Sequence, residues 1–178
     1  MWLRAAVLTA ILGAGCAGGG ARESTPARAS TVDFRAINVR GLDGAPASLS
    51  SVLGARATLV SFWAPWCEPC LREQPELERL SRAASACGAA VVGVAVGESA
   101  PGVSAFVRDN GLSFPEFTDD AFELADAMGQ RRIPATVVFD GAARIVFTGG
   151  ALADAAIDAL AAVIPARGDG ERCPLRAR

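Results

Sequence analysis

An α/β fold, with a central mixed β-sheet flanked by helices, is predicted by three observations. Residues 57–63 and 91–96 are short, nearly continuous apolar runs rich in β-branched residues, the composition of buried strands. Apolar residues in the segments that follow them recur at three- and four-residue spacing, as in helices lying on a sheet. The order strand, helix, strand, further helices, then a hairpin and a last helix distributes helices over both faces of one sheet.

Taken in order, two weak strands, at residues 34–39 and near Ala47, open the domain. The run ATLVSFW at 57–63 is the central strand and leads directly into a cysteine motif. Residues 71–85 carry helix formers with Leu77, Leu80 and Ala84 on one face, and Pro75 is expected to kink that helix. VVGVAV at 91–96 is a second buried strand. Val103, Phe106 and Val107, introduced by Pro101 and closed by Asn110-Gly111, predict a capped amphipathic helix. Asp120 followed by Glu123 has the spacing of a capping box, with Phe122, Ala125 and Met128 as the face of the next helix. Beyond Pro134, residues 135–139 and 144–147 form strands about the turn Asp140-Gly141, and Ile157, Leu160 and Ile164 are the buried face of a final helix stopped by Pro165.

Composition narrows the chemistry. The 178 residues, 51% of them hydrophobic, supply one core rather than two. A formal net charge of −2 without a basic face argues against nucleic acid as a partner. There is no His, and all 17 basic residues are arginine, so a Ser-His-Asp triad, a Cys-His dyad, an imidazole metal site, a Schiff-base lysine and a phosphate-loop lysine are all excluded. Cysteine is the nucleophile left to consider.

Residues 1–15 have an early Arg4, an apolar stretch and small residues before Cys16, the layout of a secretory signal. The stretch, about 13 residues, is shorter than the roughly 20 that span a bilayer. The run Leu12-Gly13-Ala14-Gly15-Cys16 resembles a bacterial lipoprotein processing site, with Cys16 the lipidation residue, although its leucine lies one position further from the cysteine than usual and cleavage after Ala17 stays open. Residues 16–31 are a flexible tether, 32–165 the domain and 166–178 a mobile tail that contains Cys173. Export implies an oxidising compartment on the periplasmic side of a membrane.

The constellation Trp63-Ala64-Pro65-Trp66-Cys67-Glu68-Pro69-Cys70 sits where the central strand ends and a helix begins. Two intervening residues at a helix start bring both sulfurs within disulfide reach, and the helix amides and dipole stabilise a thiolate on the first. Cys67 is expected to be the exposed nucleophile and Cys70, one turn inside the helix, the shielded resolving thiol. A structural disulfide, or half of a zinc site with Cys87 and Cys173, are the alternatives, but no second close cysteine pair is present. Cys87 and Cys173 either pair in a second disulfide or leave Cys87 as a buried free thiol.

The segment LVSFWAPWCEPCLRE, residues 59–73, resembles the active-site strand and helix start of thioredoxin-like proteins of the TlpA/ResA kind. Leu42-Asp43-Gly44 and residues 49–54 resemble that family's N-terminal β-hairpin, residues 91–98 and the following helices its central insertion, and Arg132-Ile133-Pro134-Ala135-Thr136 its cis-proline loop. The resemblance implies a thioredoxin-like fold across residues 32–165 and thiol-disulfide exchange without a cofactor or metal. It implies that Trp66, Ile133 and Pro134 line the substrate face, with the backbone of Ile133 free to pair with an extended peptide. It implies that Glu73 lies under the active site and influences thiol titration, where the alternative is a surface helix glutamate. Glu98, at the end of the second strand, and Glu68, inside the motif and expected to be exposed, are further tuning candidates. Thioredoxin's own buried aspartate, six residues before the first cysteine, is replaced here by Ser61.

By the same resemblance the expected activity is reduction of protein disulfides outside the cytoplasm, in its most specific form on apocytochrome c, with electrons from a membrane thiol transporter. Two other classes compete. A peroxiredoxin-like peroxidase wants a threonine where Ala64 stands, and a non-catalytic binding module would keep the cysteines as a locked disulfide.

Overall fold

The computed structural model describes residues 37–53, 56–166 and 172–176, all within the compact unit Val32–Arg178. The expected signal, Cys16, the tether and the start of the first weak strand at Phe34 lie outside the described residues. Seven strands, β1 (Asn38–Gly41), β2 (Pro46–Ser48), β3 (Ala57–Trp63), β4 (Ala90–Val96), β5 (Glu116–Asp119), β6 (Ala135–Asp140) and β7 (Ile145–Gly149), form one mixed sheet in the order β2-β1-β5-β4-β3-β6-β7. Five helices accompany them: α1 (Leu49–Val52), α2 (Glu68–Ser85), α3 (Ala100–Asn110), α4 (Glu123–Ala127) and α5 (Asp154–Val163).

Every residue of β3 is buried, because it lies inside the sheet with helices on both faces. It pairs in parallel with β4 and antiparallel with β6; β4 pairs in parallel with β5. Side-chain alternation then divides the core. Leu59, Val91 and Val138 pack with Leu77 and Leu80 of α2 and with Ile157 and Leu160 of α5. Val60, Phe62, Val92, Val94, Val137 and Phe139 pack on the opposite face with Leu49, Leu124, Ala125 and Met128. A third cluster, at the C-terminal ends of the parallel strands, holds Trp63, Cys67, Cys70, Ala95 and Val103.

Several details differ from the sequence reading. α2 begins at Glu68, three residues earlier than the periodicity alone indicates, and runs through Pro75 without a break; on its surface Glu68–Arg72 and Glu78–Arg82 pair at 2.8 Å across one turn. β5 has no counterpart among the expected strands. The expected capping box at Asp120 does not form: Phe122 occupies the N-cap of α4 in a left-handed conformation (φ 61°), and Asp119 instead accepts hydrogen bonds from Leu124 N (3.3 Å) and Ala125 N (2.9 Å). Phe122 is therefore turned out, 44% exposed, rather than joining the buried face of Ala125 and Met128. At the end of α3, Gly111 closes the helix at φ 65°, as the Asn-Gly pair suggests.

The tail is also partly fixed. Cys173 is disulfide-bonded to Cys87 at the end of α2, Leu175 is 2% exposed in the α2/α5 core, and its carbonyl accepts from Arg79 Nη1 at 2.9 Å. Residues 172–176 thus pack on the domain where a mobile tail is expected, because one apolar side chain and one covalent link hold them.

Candidate active site

β3 ends at Trp63 and the chain turns through Ala64-Pro65-Trp66 into α2. Cys67 is the N-cap of that helix, in extended conformation, and its sulfur accepts a 3.3 Å hydrogen bond from Cys70 N. A helix leaves its first amides without intrahelical partners, so a sulfur placed there meets donors and the positive end of the dipole. Pro69 in the first turn carries no N–H to satisfy. The two sulfurs are bonded, with the Cα atoms 5.2 Å apart. Cys70 is 1% exposed, and Cys67, expected to be exposed, is itself only 6% exposed. Capping turns its sulfur inward toward Cys70 and leaves the neighbouring Trp66 as the exposed group, at 65%.

Trp66 lines a cleft of about 580 Å³ together with Val96, Phe122, Asp126, Arg132 and Ile133. The Ile133–Pro134 peptide bond is cis, and both residues are half-buried next to the cleft or in it. The ring of Phe122 lies over Gly97, where a Cβ would come within 2.6 Å of it. An apolar, aromatic-edged cleft beside a disulfide suits an extended polypeptide, whose backbone would run along Ile133 and whose side chains would meet Trp66 and Phe122.

The acidic candidates separate. Glu68 is exposed and pairs with Arg72 at 2.8 Å. Glu73 is half-buried on α2, where its Oε1 accepts from Leu152 N at 3.0 Å; burial raises its pKa above the usual carboxylate value, partly offset by that bond. It is thus not a free surface residue, and it ties α2 to the segment before α5. Glu98 is half-buried just beyond β4.

A fourth carboxylate escapes the sequence reading. Glu116 of β5 is 6% exposed, its Oε2 accepts from the indole Nε1 of Trp63 at 2.9 Å, and its Oε1 has no hydrogen-bond partner. Burial pushes its pKa up to about 8; the Trp63 bond lowers it and the nearby Glu78 raises it. No local period in Phe114-Pro115-Glu116-Phe117-Thr118 marks this glutamate as buried, and the sequence carries no signal that would have found it.

Cys67 and Cys70 lie in one buried cluster and Cys87 and Cys173 in another, so the two pairs do not form a single four-cysteine site. The separation of the pairs assigns them different roles: the first spans three positions at a helix start beside a cleft, and the second pins the tail far along the chain.

Comparison with known proteins agrees with this geometry. Residues 27–153 match the Redoxin family model. The thiol-disulfide oxidoreductase ResA of Halalkalibacterium halodurans is 32% identical over 120 residues, covering 65% of this chain and 68% of that protein; across the first curated relatives the chain spans 54% to 68% of their length. Among solved structures, a thiol:disulfide interchange protein of the thioredoxin family from Chlorobium tepidum superposes with a TM-score of 0.59 at 27% identity, covering 72% of this chain and 92% of that one. A secreted thiol-disulfide isomerase from Corynebacterium glutamicum gives 0.62 at 25% identity, covering 72% and 83%. A bonded Cys-Glu-Pro-Cys pair capping a helix, a cis proline beside it and these relatives converge, and the chain belongs to the Redoxin family, as a thioredoxin-fold thiol-disulfide oxidoreductase similar to ResA.

Proposed function

We propose that this protein is an extracytoplasmic reductase of protein disulfides, acting through Cys67 and Cys70. The observation that carries the reading is the Cys67–Cys70 disulfide at the start of α2 beside the cleft lined by Trp66 and Ile133. In the reduced protein, Cys67 attacks a substrate disulfide as thiolate, supported by the helix N-terminus; a Cys67–substrate mixed disulfide forms as the substrate S–S bond breaks, and the other substrate sulfur leaves as a thiolate and is protonated. Cys70 then attacks Cys67, the bond between Cys67 and the substrate breaks, and the substrate leaves as a thiolate that takes up a proton. Two electrons have passed from the Cys67/Cys70 dithiol to the substrate, and a membrane thiol transporter returns them.

The most specific substrate is the paired cysteines of apocytochrome c before haem attachment. The leader at residues 1–15 supports export, and Cys16 supports a lipid tether; among the described residues no helix is long and apolar enough to cross a membrane. Glu73 is the tuning carboxyl of the active-site helix, with Glu68 and Glu98 secondary. The test is a purified domain with Cys67 and Cys70 reduced, mixed with a disulfide-bonded peptide that carries the two cysteines of a haem-attachment site. Reduction of the peptide by the native protein and none by Cys67→Ser is expected. Failure of the native protein to exchange with the peptide would overturn the reading and leave a binding module.

A further inference from the structure

The row of residues across the sheet just below the active site carries three polar side chains, Ser61, Thr136 and Glu116, between Trp63 and Ala95 above and Leu59, Val91 and Val138 below. Ser61 is paired with Thr136 on one side and Gly93 on the other, and Gly93 with Glu116, so all four point to the face covered by α2. On α2, Cys70 packs with Trp63 and Ala95 in the layer above, and Leu77 packs with Leu59 and Val91 in the layer below. Gln74 lies between them at helical spacing, 5% exposed, with neither its Oε1 nor its Nε2 in a hydrogen bond.

Gly93 makes room for this arrangement. A Cβ there would lie 2.0 Å from Glu116 Oε2 and 2.4 Å from its carboxyl carbon. The Glu116 side chain therefore lies flat across β4 toward β3, where Trp63 receives it. A carboxylate thereby reaches the row of Ser61 on the central strand from two strands away.

We propose that Glu116 is a positioning residue for the resolving thiol: acting through Trp63, which shares one buried cluster with both cysteines, its protonation state sets how readily Cys70 becomes the thiolate that releases substrate. A neutral carboxyl lets the Cys70 thiolate form. An ionised one places a second negative charge in the buried row just below Cys70 and opposes it, since two such groups titrate as a coupled pair. In the step affected, Cys70 loses its proton to solvent, its electron pair forms the Cys67–Cys70 bond, the bond from Cys67 to the substrate sulfur breaks, and that sulfur leaves as a thiolate and is protonated.

The groups around Glu116 give the coupling its direction. From α2, Glu78 contributes a second negative charge, itself held by Arg82 and by Ser113 N and Oγ. From β3 comes the Trp63 donor, from β4 only Gly93, and from α3 Phe106, whose ring lies 5.2 Å from that of Trp63. Arg82 is held by Glu78, and no cation among the described residues acts on Glu116 itself. Burial accordingly holds the Glu116 proton into the range near pH 8, where dithiol exchange runs. The cleft between α2 and α3, about 370 Å³ and lined by Gln74, Glu78 and Phe106, brings solvent to the edge of this layer.

The inference rests on the exchange reading, and the experiment separates the two. Single-turnover release of the peptide from the Cys67 mixed disulfide is followed from pH 6 to 10 in the native protein and in Glu116→Gln, with ultraviolet thiolate titration of the reduced proteins. The expected result is equal release at pH 6 and, at pH 9 and above, release about tenfold faster in Glu116→Gln, with its second thiol titrating about one pH unit lower. Trp63→Phe, which keeps the carboxyl and removes its donor, should hold Glu116 neutral to higher pH, so that its release at pH 9 exceeds that of the native protein; this direct comparison with native supplies the answer if Glu116→Gln does not fold. Superimposable profiles in a native protein that does exchange would overturn the role of Glu116 alone; absence of exchange in the native protein would overturn the reading beneath it.

Discussion

Replacing Cys87 and Cys173 together by serine should destabilise the domain far more than replacing Cys67 and Cys70, although each change removes one disulfide. The two bridges have sequence separations of 86 and 3. Taking stabilisation as restriction of the unfolded chain, the long loop is worth about 4.6 kcal/mol and the short one about 2 kcal/mol. Strain and residual structure reduce such figures, and a working expectation is a loss of about 3–4 kcal/mol for the long loop. At roughly 3 °C per kcal/mol for a domain of this size, the melting temperature should fall by about 9–12 °C. The long bridge also holds Leu175 in the α2/α5 core and the Arg79 bond to its carbonyl, so the tail should gain protease sensitivity. The assay is calorimetry with mass-spectrometric confirmation of disulfide state, on native protein and both double variants. A Cys87→Ser/Cys173→Ser protein that melts within about 2 °C of native would refute the argument from loop length.

Three further outcomes follow from the buried row and the cleft. Glu116 binds its proton more tightly in the folded than in the unfolded chain, so from the usual carboxylate value up to about pH 8 the folded state holds the extra proton and stability falls as pH rises; the slope is at most about 1.4 kcal/mol per pH unit, and Glu116→Gln should remove it in urea titrations at successive pH values. Gly93→Ala should cost about 1–3 kcal/mol by overpacking, because its Cβ would fall 2.0 Å from Glu116 Oε2, and most of that cost should vanish in a Glu116→Ala background when the cycle is measured by denaturation. Trp66→Ala, at a residue 65% exposed, should change stability by less than about 0.5 kcal/mol while raising KM for a peptide disulfide; an unchanged KM would remove Trp66 from the substrate face.

How much of this was legible in the sequence depends on what buries each segment. β3 and β4 are buried on both faces, so ATLVSFW and VVGVAV announce themselves. β5 does not, since Glu116, Thr118 and Asp119 are buried by tertiary contacts that no local period encodes. The cap of α4 differs from expectation by one residue: Asp119 and Asp120 are chemically alike, and only the left-handed turn at Phe122 selects the first. The cysteine motif was readable because helix geometry makes its spacing meaningful, whereas Cys87 and Cys173 meet only in the folded chain. Inward rotation of Cys67 follows from its capping bond, and that is set by the backbone rather than by residue type.

The reduction potential of the Cys67/Cys70 pair tests the central claim most directly. It is measured on a soluble protein beginning after Cys16, equilibrated with defined thiol buffers, while Cys87 and Cys173 are followed separately by mass spectrometry. A reductase supplied by a membrane donor requires a value below about −230 mV; a value near about −120 mV would make the protein an oxidant and contradict the account.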